Sequence, residues 1–385
     1  MPKVVRVITR LNVGGPAVHT ILLTDRLRPS YTTLLVSGSE AASEGNMLEM
    51  ASRLGVPVIR IRELGREIRP FADLVAFAKL VRLIARERPD IVHTHTAKAG
   101  LLGRVAAWLC GVPVIVHTFH GHVFRGGYFS PWLVRFFLIL ERVLARVTDQ
   151  IITVAEQQRR ELAALGIART SSIAVVPLGL DLTEFATDVA DPRAMRRKWG
   201  VPPQTPLVGI VARLVPVKGH ELFLDAAAEV HQSHPDARFV IVGDGELRDQ
   251  LEADARRRGL PVIFAGWESD VRAVYAALDV VCLTSLNEGS PVALIEALSA
   301  RKPTVSTAVG GITDLIEDGK NGLLVPTRDP ACFARAIERL IDEPDFARML
   351  GKNGSTSVQL KYDAARLAHD IDQLYQRLLA SKQAK

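Results

Sequence analysis

Short runs of β-branched and apolar residues alternate with helix-length segments from one end of this chain to the other. The first half carries "KVVRVIT", "YTTLLVS", "VPVIRI", "DIVHT", "VPVIVHT", "QIITV" and "IAVVPL". The second half carries "PLVGIVA", "RFVIVG", "PVIFAG", "VVCLTS", "PTVST" and "NGLLVP". Runs without polar alternation belong to strands buried on both faces, hence to parallel sheets covered by helices. Two such series predict an α/β chain of two doubly wound, Rossmann-like domains. A length of 385 residues, too great for one ordinary core, agrees. The expected boundaries are 1–186 and 187–360, joined by the proline- and charge-rich stretch from Thr187 to Pro206. Residues 361–385 are expected to return to the first domain as a helix, since Leu367, Ile371, Leu374 and Leu378 form an apolar stripe at helical spacing.

The bulk properties exclude several classes. With 48% hydrophobic and 23% charged residues and no low-complexity tract, the chain is globular. Cys110, Cys282 and Cys332 are far apart in apolar contexts, forming neither a disulfide framework nor a zinc pattern, which points to a reducing cytoplasm. The first apolar run is too short for a signal peptide and is broken by Arg6. No stretch reaches the length of a membrane span. The net charge of +6 is uneven: residues 1–190 hold 23 Lys+Arg against 16 Asp+Glu, and residues 191–385 hold 25 against 26. A basic first half suits an acidic ligand or an anionic membrane surface. Its cations are scattered and no nucleic-acid motif interleaves them with aromatics, so nucleic acid is not the expected partner.

In open α/β sheets ligands bind at the carboxyl ends of the strands, so each domain offers one binding edge, and a cleft between the two edges is the expected active site. After the first strand, Gly14 and Gly15 permit a tight turn before Pro16, where backbone can approach a phosphate; a mere turn is the other reading. After the fifth, "VHTFHGHVF" supplies His117, His120 and His122. Zinc is one reading, with odd spacings, and a substrate-touching histidine is the other. His120 is preferred because it precedes Gly121. His93 and His95 end the neighbouring strand and could line the same edge.

In the second half Arg213 ends a strand and Lys218 follows five residues later. A guanidinium and an ammonium converging on one loop suit a diphosphate. The stretch "EGSPVALIE" places Glu288 before a helix that is expected to open with Ser290 as N-cap and Pro291 as its first residue. The N–H groups of Val292 and Ala293 would then make an anion-ready dipole end, and Glu296 would lie inside the helix.

Together, "VARLVPVKG", "FVIVGDGELRDQLE", "VIFAGW", "VPLGLDLTEF" and "EGSPVALIEALSARKPTVSTAVGGITDLIEDGKNGLLVP" resemble the retaining glycosyltransferases of family 4, which have the GT-B fold. The similarity is strongest from Leu207 to Pro326 and extends more loosely to "NVGG" and "FHG". It implies a nucleotide-sugar donor held by Glu296 at the ribose. Glu288 and His120 would lie beside the sugar. Arg213 and Lys218 would hold the diphosphate, helped by Gly14, Gly15 and the backbone after Glu288 (Ser290, Pro291, Val292), with Trp267 flanking the base. "HTHTAKAG" and "HTFHGHVF" look most like members that build capsular, exopolysaccharide or lipid-linked glycans, whose donors are usually UDP-sugars. The expected reaction moves a hexose or N-acetylhexosamine to a glycan or polyprenyl-linked acceptor.

No cofactor or metal is expected, because protein cations cover the leaving diphosphate. The one DxD triplet, Asp370 to Asp372, falls in a helical stretch whose solvated face explains it. A nucleotide-sugar 2-epimerase of the same fold and a non-catalytic nucleotide-sugar sensor are the rival readings. Finally, Tyr128 to Val147 reads as a helix with Trp132, Phe136, Phe137 and Leu140 on one face and Arg135, Arg142 and Arg146 beside it. It is either an amphipathic core helix or a helix lying in the interface of the cytoplasmic leaflet.

Overall fold

The structure, a computed structural model, describes residues 1–40, 45–121, 124, 130–186 and 191–383. It divides into two compact units: residues 1–180 with 362–385, and residues 181–361. The first unit is built on seven parallel strands, β1 (Lys3–Ile8), β2 (Thr32–Ser37), β3 (Val58–Arg60), β4 (Ile91–His95), β5 (Val114–Phe119), β6 (Gln150–Thr153) and β7 (Ile173–Val175). Their order is β3-β2-β1-β4-β5-β6-β7. The second has six parallel strands, β8 (Leu207–Val211), β9 (Arg238–Val242), β10 (Val262–Gly266), β11 (Val280–Leu283), β12 (Thr304–Thr307) and β13 (Leu323–Val325), in the order β10-β9-β8-β11-β12-β13. Every apolar run singled out in the sequence contains one of these strands. Each sheet reverses its winding once, between β1 and β4 and between β8 and β11.

Alternation along the strands decides which residues of the first unit can meet. Val4, Ile91, Val114 and Val116 face the C-terminal helix Ala364–Gln383, packing with its Leu367, Ile371, Leu374 and Tyr375. Val5, Val7, Val92 and Ile115 face the opposite layer, with Leu80, Ile84, Ala99 and Ala106. The returning helix therefore docks as expected, within the first unit. Its aspartates have structural partners: Asp370 accepts from Arg366 at 2.8 Å and Asp372 from the Tyr31 hydroxyl at 2.8 Å. Charge separates by unit more sharply than by halves of the chain. The first unit holds 27 Lys+Arg against 16 Asp+Glu, or +11; the second holds 21 against 26, or −5.

The boundary differs from the expected one. The first unit ends at Leu180, not residue 186, and most of the stretch expected as a junction belongs to the second unit. Its apolar residues explain this. Met195 and Val201 are buried against Leu207, Tyr275 and Leu278, with Phe185 and Trp199 packed alongside. Residues 187–190 lie outside the described residues.

The helix Pro131–Arg146 is tied to its unit through one buried ion pair. Arg104, fully buried on the helix Ala97–Leu109, donates to Glu141 at 2.7 and 2.9 Å. Removing one partner of such a pair strands a charge, whereas apolar replacement of both does not. Glu141→Ala is expected to destabilise the protein by about 3–5 kcal/mol, and Arg104→Met with Glu141→Leu by far less. Urea denaturation of the three proteins checks this; equal losses in the single and double variants would contradict it.

Candidate active site

In the second unit, two of the side chains singled out from sequence lie where the sheet reverses its winding. Lys218 follows β8, Glu288 follows β11, and their side chains meet: Lys218 Nζ donates to Glu288 Oε1 at 2.5 Å, and the Ser285 hydroxyl donates to the same oxygen at 2.6 Å. The two loops are laced by backbone. Leu286 N donates to the Val217 carbonyl at 2.8 Å, and the Thr284 hydroxyl donates to the Lys218 carbonyl at 3.0 Å. Two glycines permit this approach. Gly219 has φ +59, and a Cβ there would lie 2.5 Å from the Thr284 carbonyl oxygen. Gly310 has φ +49, and its Cβ would lie 2.1 Å from the Glu288 carbonyl oxygen. Only glycine combines that dihedral with that contact.

Arg213 lies on the same loop as Lys218, half-buried. Its guanidinium makes no hydrogen bond or ion pair among the described residues. The loop is held from below, where Leu214 N donates to the Asp244 carbonyl at 2.9 Å and Leu247 N to the Leu214 carbonyl at 3.0 Å. A fixed loop thus carries one uncommitted guanidinium and one ammonium shared with a carboxylate. Such an arrangement can receive a diphosphate.

The helix after Glu288 starts later than expected. It runs Val292–Ser299, with Pro291 and not Ser290 at the N-cap position. Pro291 has ψ 83, outside the helical range, while its carbonyl accepts from Leu294 N and Ile295 N. Val292 N turns back to the Ser290 carbonyl at 3.0 Å, which leaves Ala293 of the expected N–H pair. Glu296 lies inside the helix and accepts from the Tyr275 hydroxyl at 3.0 Å. Burial pushes this carboxyl up to about 7, although the tyrosine bond works the other way. Trp267, just past β10, is half exposed.

The first unit has its own constellation at the corresponding edge. Gly14 caps the helix Gly15–Arg26, and a Cβ on it would have no neighbour closer than 4.0 Å. His95, the last residue of β4, and His120, just past β5, lie side by side, with His95 Nδ1 and His120 Nε2 3.0 Å apart. His93 stacks on His95 at 4.2 Å and is held by the Tyr375 hydroxyl at 2.6 Å and the Thr118 hydroxyl at 2.7 Å. Beside His95, Thr96 takes φ 68, a conformation that non-glycine residues rarely adopt. His117 alternates to the other face, where its ring meets the Thr94 hydroxyl at 2.8 Å, so it is not part of this edge. His122 lies outside the described residues. Sequence reasoning missed His19, on the helix after Gly15, whose ring lies 4.9 Å from His120. It also missed Ser285 and Tyr275, which orient the two glutamates. Burial lowers His19, His93, His95 and His117 well below the usual histidine range and pushes His120 down to about 3.

Two doubly wound parallel sheets are the architecture of the GT-B glycosyltransferases. Residues 14–179 match the glycosyl transferase 4-like domain family and residues 191–357 match the glycosyl transferases group 1 family. The UDP-Gal:alpha-D-GlcNAc-diphosphoundecaprenol alpha-1,3-galactosyltransferase of Escherichia coli is 30% identical over 328 residues, covering 83% of each chain. The putative glycosyltransferase EpsD of Bacillus subtilis (strain 168) is 28% identical over 79% of this chain and 80% of its own. The crystal structure of Anabaena HepE in complex with UDP and glucose superposes with a TM-score of 0.85 at 23% identity, over 98% of this chain and all of that one. The chain belongs to this glycosyltransferase family.

The buried histidines give the fold a defined pH response. Below about 6.5 the unfolded chain takes up protons that the folded first unit refuses, so stability is full above that pH and lost as pH falls. Each such histidine contributes up to about 1.4 kcal/mol per pH unit. The melting temperature is expected to drop steadily from pH 7 to pH 5, and less steeply in His117→Leu. A melting temperature unchanged over that range, followed by circular dichroism, would count against the neutral cluster.

Proposed function

We propose that this chain moves a hexose or N-acetylhexosamine from a UDP-sugar to a glycan or polyprenyl-linked acceptor in cell-surface polysaccharide synthesis, with retention at the anomeric carbon. The observation carrying this reading is the meeting of Lys218 and Glu288 at the winding reversal beside the uncommitted guanidinium of Arg213. The E. coli relative, which by name takes UDP-Gal to a diphosphoundecaprenol-linked GlcNAc, supports the donor and acceptor classes. Arg213 and Lys218 take the diphosphate, with the helix start at Ser290, Pro291 and Val292 alongside and the N–H of Ala293, not that of Val292, turned to it. Glu296 accepts the ribose hydroxyls, Trp267 flanks the base, and Glu288, released by Lys218, accepts sugar hydroxyls. On the first unit, neutral His120 is assigned to the sugar and the Gly14–Gly15 turn to the diphosphate.

The bond from the anomeric carbon to the diphosphate oxygen breaks as the acceptor hydroxyl oxygen bonds to that carbon. Charge grows on the diphosphate, where Arg213 and Lys218 stabilise it. The acceptor proton leaves to the departing diphosphate oxygen on the same face of the sugar, which gives retention without a covalent enzyme intermediate. Because protein cations supply the counter-charge, turnover needs no divalent metal. Lys218→Ala is expected to lower kcat about a hundredfold or more, with a smaller rise in KM. Steady-state kinetics in EDTA check this, and the anomeric coupling in the product's NMR spectrum reports retention. A wild type silent in EDTA and revived by Mg²⁺, or an unimpaired Lys218→Ala, would refute the assignment.

The acceptor class has a structural counterpart in the helix Pro131–Arg146. Leu138, Leu144 and Ala145 face inward, with Leu138 and Ala145 packed on the cluster of Phe119, Ile151 and Leu162. Trp132, Phe136, Ile139 and Val143 are all at least half exposed, whereas Phe137 and Leu140 of the expected apolar face are partly buried. At about 100° per residue the exposed four span an arc of about 60°, and Arg135, Arg142 and Arg146 fill the adjoining arc. Among the described residues no helix is long and apolar enough to cross a membrane. An aromatic stripe beside exposed arginines on the +11 unit fits peripheral attachment to an anionic cytoplasmic leaflet, at about 1 kcal/mol per basic residue. Co-sedimentation with phosphatidylglycerol vesicles should be strong at low salt and weakened by salt or by Arg135, Arg142 and Arg146→Ser. Absence of binding at low salt would return this helix to a purely structural role.

A further inference from the structure

His120 is half-buried just past β5, and one side of its ring is already engaged. His95 Nδ1 and His120 Nε2 face each other at 3.0 Å, and among the described residues His120 Nδ1 has no hydrogen-bond partner. His95 is fully buried at the end of β4, in register with Ile8 of β1 and Thr118 of β5. The backbone is fixed just beyond it: Thr96, at φ 68, pairs its hydroxyl with that of Thr9 at 2.7 Å. Backbone strain of that kind persists only where the surroundings enforce it. His93 stacks on the His95 ring at 4.2 Å, and His19 meets His95 and His120 edge-on at 5.7 and 4.9 Å. The His95 ring is held from three sides.

The direction of the hydrogen bonds follows from buried Arg6. A guanidinium only donates, so the Tyr375 hydroxyl accepts from Arg6 at 3.2 Å and donates to His93 Nδ1 at 2.6 Å. The Nε2–H of His93 then donates to the Thr118 hydroxyl at 2.7 Å. Burial keeps His95 and His120 neutral, so a single proton lies between their facing nitrogens. Nε2 of His95 is buried without a partner. A proton there would be unpaired, and Arg6, whose charge bears on this ring, would repel it. The shared proton therefore belongs to His95 Nδ1. Nε2 of His120 accepts it, which leaves the proton of His120 on its Nδ1.

We propose that His95 is the positioning residue of His120: its Nδ1–H binds His120 Nε2 and so fixes both the orientation and the tautomer of that ring. His120 then presents a donating Nδ1–H, and the group it meets is an acceptor, a hydroxyl or carbonyl oxygen of the transferred sugar. This rests on the reading that His120 lies beside the sugar. His95, buried behind it, acts only through His120.

The test is a long-range proton–nitrogen correlation spectrum of the ligand-free full chain, isotope-labelled at histidine nitrogen, with His120→Gln and His95→Asn assigning the two rings. The expected tautomers are Nδ1–H on His95 and His120 and Nε2–H on His93. In His95→Leu, His120 should exchange between both tautomers. In His95→Asn, whose side-chain N–H replaces the Nδ1–H, the single tautomer should return. Calorimetry then compares UDP with UDP-glucose, UDP-galactose and UDP-N-acetylglucosamine. His95→Leu should weaken the tightest of these UDP-sugars about three- to tenfold, the worth of one hydrogen bond, and leave UDP unchanged; His95→Asn should recover most of the loss. An Nε2–H tautomer on wild-type His120, or a His120 tautomer unmoved in folded His95→Leu, would overturn the proposal. Equal losses for UDP and the UDP-sugar would do the same, since they mark a merely structural role. If His120→Gln binds the UDP-sugar as the wild type does, the sugar assignment of His120 falls, and the tautomers still decide whether His95 sets the ring. If His95→Leu fails to fold, the wild-type tautomers and His95→Asn decide.

Discussion

Between β8 and β11 the chain leaves the sheet in opposite directions, and the rest of the donor-side arrangement depends on that divergence. A parallel sheet must reverse its winding once to carry helices on both faces, and the two loops at the reversal cannot cover one another's strand ends. Here those loops carry Lys218 and Glu288, which close on each other at 2.5 Å. The space is usable because the loops are clamped from below, through Leu286 to Val217 and Thr284 to Lys218, with Gly219 and Gly310 allowing backbone to touch backbone. Holding charged groups on rigid strand ends keeps the cost of organising them out of the reaction.

The first unit repeats the topology with different chemistry. At its reversal, between β1 and β4, lie buried imidazoles rather than cations. Alternation puts His93 and His95 on the face covered by the C-terminal helix, and His117 on the other. Tyr375 of that helix reaches both Arg6 and His93. The helix Ala364–Gln383 therefore helps to hold the histidine edge.

Much of this was legible in the sequence because strands buried largely on both faces leave mainly apolar runs, and each of the thirteen strands lies in one. The returning helix was legible from its stripe, Lys218, Arg213 and Glu288 from their places after strands, and Glu296 from its place inside the helix that follows Glu288. What escaped depends on contacts between distant residues. Nothing local marks Tyr275 as the partner of Glu296, Ser285 as the second donor to Glu288, or His19 as a neighbour of His120. The domain boundary escaped because a proline- and charge-rich stretch also hides Met195 and Val201, which only the folded second unit buries. The helix start at Pro291 escaped because a proline there can be either the cap or the first helical residue, and ψ 83 decides for the cap.

The central claim is that Lys218 and Glu288 are held together in the free protein and separate around a nucleoside diphosphate. A crystal structure with UDP bound tests it most directly. The account predicts diphosphate oxygens within hydrogen-bond distance of Lys218 Nζ and the Arg213 guanidinium, the Lys218–Glu288 contact broken, and the ribose hydroxyls on Glu296. UDP bound with that contact intact and with Arg213 touching no phosphate would contradict it.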